Sequence, residues 1–261
     1  MANSGSDHRV GTSAEPRIRR VLVTGASGLI GALVCPALES RGFIVRAYDR
    51  EPQGALRDWV EGDLEDRDAL VNSAAGMDAI LHLAACPDEA DFVSALVPAN
   101  IVGLYNVFEA ARENGLRRFV LASSCRVAEL SDSPGRIGVE ARDPADMYGL
   151  TKLWAEEMGR MYSRLTSIHV VAARLGWVLR DTAELNEMQS MPRGPQLYLS
   201  HRDAAEFFCC CLEAPLPPYA VVYALSKQAH GELFDMRPAR RLLGFEPRDT
   251  FPHGTTFAES D

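Results

Sequence analysis

This sequence of 261 residues has no excess of basic over acidic residues. Its 27 lysines and arginines are outnumbered by 36 aspartates and glutamates, which gives a formal net charge of −9. Because contact with a phosphate backbone requires a basic surface, this balance argues against a nucleic-acid partner. Lysine in particular is scarce, since Lys152 and Lys227 stand against 25 arginines.

The sequence also lacks long apolar runs and an apolar N-terminal segment. Runs such as 207–212 and 220–225 are too short to cross a bilayer. The first twenty residues contain no apolar stretch of the kind that forms a secretory signal. With 47% apolar residues, enough for one large core, we expect a globular cytoplasmic protein without a membrane partner.

No C-x-x-C spacing occurs, although the chain has six cysteines. Disulfide frameworks are typical of small secreted chains, and this chain fits neither description. The cysteines are therefore interpreted as small buried apolar residues, and neither a zinc site nor another metal site is predicted. They are Cys35, Cys86, Cys125, Cys209, Cys210 and Cys211.

Short apolar segments alternate with segments of helical period from Ile18 onward. Nearly continuous apolar strands separated by helices predict an α/β fold, a doubly wound parallel sheet with both faces covered. Residues 1–17 are predicted to be a disordered tail. Residues 18–255 are predicted to form a single domain with a small C-terminal lobe mainly from 176–250, in which 181–195 is a loop.

Three glycines lie between the first predicted strand and the first predicted helix, in a G-x-x-G-x-x-G spacing. The first permits a tight turn, the second lets the backbone approach a pyrophosphate, and the third lets helix and strand pack closely. The helix N-terminus offers unpaired N–H groups and a positive dipole end to phosphates. The segment predicts a Rossmann-type dinucleotide site formed by Gly25, Ser27, Gly28, Leu29, Ile30 and Gly31.

Asp49 ends the second predicted strand, 18 residues after Gly31. A carboxylate there accepts hydrogen bonds from the adenosine ribose and repels a 2′-phosphate, so NAD is favoured over NADP. The neighbouring Arg50 keeps NADP open, since an arginine can accept that phosphate. Asp63 and Leu64, after the third predicted strand, are predicted at the adenine, and a helix N-cap is the alternative role for Asp63.

Tyr148 and Lys152 lie four residues apart at the start of a predicted helix and share one face. A free phenol has a pKa of about 10, too high for a base at neutral pH. An ammonium one turn away, with the positive ring of an oxidised nicotinamide, is expected to lower the pKa of Tyr148. The phenolate then takes a hydroxyl proton while hydride leaves for the nicotinamide.

Ser124 follows the apolar strand predicted over 119–122, at the sheet edge where doubly wound folds bind ligands. It precedes Tyr148 by 24 residues, and its hydroxyl is a candidate hydrogen-bond partner for the reacting oxygen. Ordinary turn chemistry is the alternative explanation of a serine in this place.

With these residues located, the chain resembles the extended branch of the short-chain dehydrogenase/reductase family, the NAD-dependent epimerase/dehydratase group, from about Val21 to Phe251. The resemblance implies a catalytic trio of Ser124, Tyr148 and Lys152, with Lys152 also holding the nicotinamide ribose. It implies a homodimer formed through the Tyr148 helix and the long helix before it. Residues that it places along the cofactor path are Leu83, Ala84, Ala85 and Asn100.

Within that branch the chain is similar to uronate dehydrogenases, which oxidise the anomeric carbon of a sugar acid. The resemblance runs through 100–112, 122–124, 146–149, 155–162 and 243–247. It implies that Arg193, eight residues before His201, binds a substrate carboxylate through a bidentate guanidinium contact. An exposed position on a polar loop is the alternative for Arg193. Only 109 residues follow Lys152, which independently favours a small substrate over a nucleotide-sugar.

Departures from the uronate dehydrogenase pattern fall near the expected substrate. Cys125 and Arg126 follow Ser124 where those enzymes carry Asn-His, and Pro87 and Trp177 replace serines. Losing sugar-facing donors while gaining bulk and charge is expected to change which ligand fits. The predicted substrate is a small sugar acid or polyol, and its predicted contacts are Ser124, Cys125, Arg126 and Arg193.

Two other functions fit the same motifs. An epimerase or dehydratase would retain NAD between half-reactions, and stoichiometric release of NADH would exclude it. A dinucleotide-sensing protein without turnover would not need the base, so an unchanged function after Tyr148→Phe would favour it.

Overall fold

The computed structural model describes residues 17–128, 135–228 and 231–257. Apart from Arg17, the predicted disordered tail lies outside the described residues. The strands are β1 (Arg20–Thr24), β2 (Ile44–Asp49), β3 (Trp59–Glu61), β4 (Ala79–His82), β5 (Arg118–Ser124), β6 (His169–Leu175) and β7 (Tyr219–Ala224). The α-helices are α1 (Leu29–Ser40), α2 (Arg67–Ala74), α3 (Leu104–Glu113), α4 (Met147–Leu165), α5 (Thr182–Ser190), α6 (His201–Glu213) and α7 (Arg237–Leu243).

The strands form one parallel sheet in the order β3-β2-β1-β4-β5-β6-β7, which confirms the predicted doubly wound fold. β1 is flanked by β2 on one side and β4 on the other, with Thr24 paired to Tyr48 and to His82. The chain order reverses at this point, so the loops after β1 and β4 diverge and open a crevice at the carboxyl ends of the strands.

Alternate residues of each strand enter two separate cores, as the pleat of a strand requires. Val23 of β1 faces the core under α1, α6 and α7, whereas Leu22 faces the core under α2, α3 and α4. In the second core the Phe108 ring of α3 stacks on Phe119 of β5, with ring centroids 4.0 Å apart. Burial on both faces explains why the strands are apolar without alternation.

The predicted loop over 181–195 was wrong, because most of it is helix α5. The Asp181 carboxylate accepts a hydrogen bond from the Glu184 N–H at 2.9 Å and caps the helix. Met188 is fully buried and anchors the helix to a small apolar cluster with Leu179 and Tyr198. The N-cap spacing was visible in the sequence, but one buried apolar residue in nine is too weak a periodic pattern to predict a helix.

The segment Phe92–Gly103 is wound as a π-helix and continues directly into α3. By length and composition the combined helix, Phe92–Glu113, is apolar enough to cross a membrane, contrary to the expectation that no segment is. In the fold it packs against α2 and α4, with Leu104, Val107 and Phe108 buried in the second core. Those contacts account for part of its apolar character, since Val93 and Val102 on the same helix are exposed.

The start of α6 is tied to the C-terminal segment by buried carboxylates. The Ser200 hydroxyl accepts from the Asp203 N–H at 3.0 Å and donates to Asp249 at 2.7 Å. The Asp203 carboxylate accepts from the Ser226 hydroxyl and from the backbone N–H groups of Arg248 and Asp249. This network holds the segment that follows β7 against the lobe.

Candidate active site

The glycine turn after β1 has the shape that close approach to a pyrophosphate requires. Gly25 has a φ of +74°, and a Cβ on it would lie 2.5 Å from the Ala84 backbone nitrogen. A Cβ on Gly31 would lie 2.3 Å from the Gly25 carbonyl oxygen. At Gly28 the nearest atom would be 3.4 Å away, so the surface at the start of α1 is open. The turn therefore has room for a dinucleotide, and the open surface at Gly28 fits its predicted place at the phosphates.

Asp49 lies beside this turn at the end of β2. Its two carboxylate oxygens accept hydrogen bonds from the backbone N–H groups of Ser27, at 2.9 Å, and of Arg50, at 2.8 Å. The Ser27 hydroxyl donates to the Glu51 carbonyl oxygen at 2.7 Å. The acid is thereby held in place, and its remaining lone pairs are available to the ribose hydroxyls.

Asp63 is not a helix N-cap, since Asp66 occupies that position on α2. The Asp63 carboxylate accepts from the Glu65 N–H at 2.9 Å and lies 3.9 Å from the Arg50 guanidinium. It therefore stays available at the predicted adenine position. The Leu64 side chain is buried in the second core, so only its backbone could face a cofactor.

Asn100 is hydrogen bonded to the loop after β4 and to α4. Its carboxamide accepts from the Cys86 N–H at 2.8 Å, and donates to the Cys86 carbonyl and to the Thr151 hydroxyl, both at 3.1 Å. The Thr151 hydroxyl donates in turn to the Tyr148 carbonyl oxygen at 2.7 Å. Asn100 thus connects the loop that carries half-buried Ala84 and Ala85 to the first turn of α4.

Tyr148 and Lys152 meet at the carboxyl ends of β4 and β5. The Lys152 Nζ lies 5.5 Å from the centroid of the Tyr148 ring and donates to the Ala122 carbonyl oxygen at 3.1 Å. That single bond leaves further N–H groups free for a ribose. Burial lowers the pKa of Lys152 to about 8. The Ser124 hydroxyl lies close enough to the Tyr148 phenol to lower its pKa, so the three predicted catalytic side chains are adjacent.

In the free protein the pKa of Tyr148 is raised, and the lowering expected from Lys152 together with an oxidised nicotinamide stays a prediction. Burial, with a contribution from Asp88, raises the pKa of Tyr148 to about 12, although the Arg126 charge and the Ser124 hydrogen bond lower it. The Lys152 ammonium lies against the ring face, and its effect is not among the main causes. The base is therefore fully protonated until another positive charge enters the crevice.

We expect the burial of Lys152 to appear in stability measurements. Its pKa falls from 10.5 when exposed to about 8 in the fold, so between these pH values the unfolded chain binds a proton that the fold has released. Stability therefore rises with pH across this window, by up to roughly 3 kcal/mol. Lys152→Met removes that rise, whereas Lys227→Met, at an exposed position, keeps it. Urea unfolding from pH 7 to about 10.5 measures the difference, and parallel curves for wild type and Lys152→Met would contradict the expectation.

The four predicted substrate residues do not share one environment. The Ser124 and Arg126 side chains lie at Tyr148, and the Arg126 guanidinium is 5.6 Å from the ring centroid. Cys125 points inward, since its thiol lies 3.7 Å from the Arg174 carbonyl oxygen in the first core. The structure does not support its assignment as a substrate contact, because Cys125 begins the 3₁₀-helix Cys125–Ala128 and its side chain turns into the core. Arg193 is exposed at the start of the short 3₁₀-helix Gly194–Gln196.

Sequence reasoning missed an acidic loop beside the base. Glu89 accepts a hydrogen bond from the Tyr148 N–H at 3.0 Å, and Asp88, with a φ of +62°, pairs with Arg180 at 2.8 Å. Arg180 also pairs with Glu184 of α5, so the loop after β4 is joined to the lobe. Their place after β4, at the ligand-binding edge, was the available signal.

Trp177, which stands where the uronate dehydrogenase pattern has a serine, makes its polar contacts within the lobe. Its indole N–H donates to Glu184 at 3.2 Å, and its backbone pairs with Leu197.

His82 is buried, hydrogen bonded to the Thr24 hydroxyl at 2.7 Å, and its pKa is lowered to about 3 by burial. It is therefore an uncharged neighbour of the site.

A Rossmann-type parallel sheet with a glycine turn and a Ser-Tyr-Lys cluster at its carboxyl edge defines an oxidoreductase of the extended short-chain dehydrogenase/reductase class. The NAD dependent epimerase/dehydratase family matches residues 21–179, and the chain belongs to that family.

Several relatives have known activities. The uronate dehydrogenase of Agrobacterium fabrum is 31% identical over 237 residues, which cover 89% of this chain and 85% of the relative. The NAD-dependent glucose-6-phosphate dehydrogenase of Haloferax volcanii is 29% identical, covering 88% of this chain and 93% of the relative. A solved structure of mutant Agrobacterium tumefaciens uronate dehydrogenase complexed with NAD has a TM-score of 0.75 at 28% identity, covering 88% and 85% of the two chains.

Proposed function

We propose that this protein is an NAD-dependent dehydrogenase that oxidises a carbinol carbon of a small sugar or sugar acid. The proposal rests on one observation: Ser124, Tyr148 and Lys152 are adjacent. They lie at the carboxyl edge of the sheet, where the glycine turn also lies. The relatives named above act on uronates and on glucose 6-phosphate, so they support the substrate class without selecting one member.

The protein residues divide the reaction between them. Ser124 and Tyr148 hold the substrate hydroxyl, and Tyr148 Oη, once deprotonated to the phenolate, takes its proton. Lys152 Nζ, anchored on the Ala122 carbonyl, binds the ribose and adds positive charge beside the phenol. Gly25, Gly28 and Gly31 with Asp49 would hold the dinucleotide, which when bound supplies the hydride acceptor. Asp49 favours NAD over NADP because a second anion beside its carboxylate is repelled.

A panel of substrates tests this function directly. Glucuronate, galacturonate, aldoses, sugar phosphates and small polyols are each incubated with NAD or NADP, and the absorbance of the reduced cofactor is followed. We expect turnover with at least one sugar and faster turnover with NAD. Interconversion of sugars without net NADH release would point to an epimerase instead, and no chemistry with any sugar would refute the proposal.

We propose that Arg193, from the lobe over 176–250, binds the acidic group of an anionic substrate. Its guanidinium makes no hydrogen bond or ion pair with the described residues, so it is free to form a bidentate contact. Arg193→Gln is expected to raise KM for an anionic sugar by about tenfold or more and to leave KM for a neutral sugar unchanged. Steady-state kinetics on both substrates measure this, and equal effects would contradict the assignment.

We propose a homodimer that forms through α4 and the combined helix Phe92–Glu113. The two helices pack together and carry most of the large exposed apolar side chains. Trp154, about half exposed, lies on this face. Trp154→Arg should convert a dimer to a monomer in light scattering, whereas Met191→Arg, on an exposed apolar residue of the lobe, should not. A wild-type monomer would refute the dimer.

We place the enzyme in the cytoplasm, in keeping with its free cysteines.

A further inference from the structure

Arg126 is held against the catalytic tyrosine from several directions. Its guanidinium forms an ion pair with Asp146, and its backbone N–H donates to the Ser124 hydroxyl at 3.2 Å. Asp146 itself caps α4, accepting from the Gly149 N–H at 2.6 Å. A Cβ on Gly149 would lie 2.7 Å from the Arg126 carbonyl oxygen, so α4 packs closely on the Arg126 backbone. The first turn of α4 therefore carries Tyr148 and fixes Arg126 over its ring.

Opposite charges surround the phenol on the described elements. The loop after β4 and the cap of α4 bring carboxylates, and Asp88 and Asp146 both raise the pKa of Tyr148. Arg126 lowers it. The charged groups that face this residue are Asp88 and Glu89 after β4, Arg126 after β5, and Asp146 and Lys152 on α4.

We propose that Arg126 is a positioning residue for the base: its guanidinium, fixed by Asp146, favours the phenolate form of Tyr148. In its consequence for turnover the inference rests on the proposed dehydrogenase function. An arginine suits this task because it keeps its charge at every pH where the enzyme operates, whereas the pKa of buried Lys152 is about 8.

Two variants separate charge from packing. Arg126→Gln removes the charge and keeps a polar side chain, while Arg126→Lys keeps the charge. Arg142→Gln is the matched control, because Arg142 is 38% exposed against 37% for Arg126 and is also ion-paired with a carboxylate, that of Glu157. Circular dichroism first establishes that each variant is folded.

The first readout needs no substrate. The ultraviolet absorbance of phenolate is titrated with NAD bound, from neutral pH to about pH 10, and the signal of each protein's Tyr148→Phe counterpart is subtracted. In Arg126→Gln the phenolate should appear about one pH unit higher than in wild type. Arg126→Lys should restore most of the difference, and Arg142→Gln should match wild type.

The second readout is the pH profile of kcat/KM with a substrate from the panel. Its acidic limb should move upward with the titration, giving about tenfold lower kcat/KM below the limb in Arg126→Gln. A phenolate titration that does not move in Arg126→Gln would overturn the inference. An acidic limb that stays in place while only KM rises would also overturn it, because Arg126 would then be a substrate contact. Arg126→Lys behaving like Arg126→Gln would also overturn it. If wild type turns over no sugar, the dehydrogenase proposal fails while the titration still decides the role of Arg126.

Discussion

Tyr148→Phe should lower kcat by about a hundredfold to ten-thousandfold, because it removes the group that accepts the substrate proton while keeping the ring. The ring, which lies 5.6 Å from the Arg126 guanidinium and 5.5 Å from the Lys152 ammonium, stays in place, so the fold and dinucleotide binding should be retained. The measurement is the rate of NADH formation at saturating substrate, together with the dissociation constant of NADH.

The matched control is Tyr219→Phe. Tyr219 is also half-buried, and its hydroxyl donates to the Glu156 carbonyl oxygen at 2.9 Å, away from the crevice. Tyr219→Phe should keep kcat within a factor of two or three, because it removes no catalytic group. The lost hydrogen bond should lower the stability by about 1 kcal/mol. Equal activity of Tyr148→Phe and wild type would remove Tyr148 from the mechanism.

Arg174→Met should destabilise the protein by about 3 to 5 kcal/mol. Arg174 and Glu156 form an ion pair with exposed fractions of 0% and 1%, with N–O distances of 2.8 and 2.9 Å. The guanidinium also donates to the Ala141 carbonyl and the Tyr223 hydroxyl. Removing it leaves a buried carboxylate without its charge partner, which is the expensive change. Denaturant unfolding measures the loss.

A second substitution tests that explanation. Arg174→Met with Glu156→Leu removes both charges, so the double variant should be more stable than Arg174→Met alone. Arg237→Met, which breaks the pair of a largely exposed arginine with Asp235, should cost less than Arg174→Met. A double variant less stable than the single one would show that packing, and not the stranded charge, sets the cost.

The glycine turn, Asp49 and the Tyr148–Lys152 spacing were predictable because each is local: neighbours along the chain, on one turn or one helix face, decide it. The parallel, doubly wound sheet was also predictable, since apolar strands that alternate with helices have few other arrangements. Helix α5 was not predicted, because a single buried residue, Met188, anchors it. The position of Asp88 and Glu89 after β4 indicated the ligand-binding edge of the sheet, but it did not indicate that they meet Tyr148, about 60 residues away in the chain.

By itself the sequence determined the class of chemistry: a turn shaped for a dinucleotide and a tyrosine with a lysine one helical turn away. The tertiary structure decided how that chemistry is adjusted. The protonation of Tyr148 depends on burial and on charges from three separate segments, and electrostatic effects of that kind depend on distance in space. Residue spacing along the chain does not contain those distances.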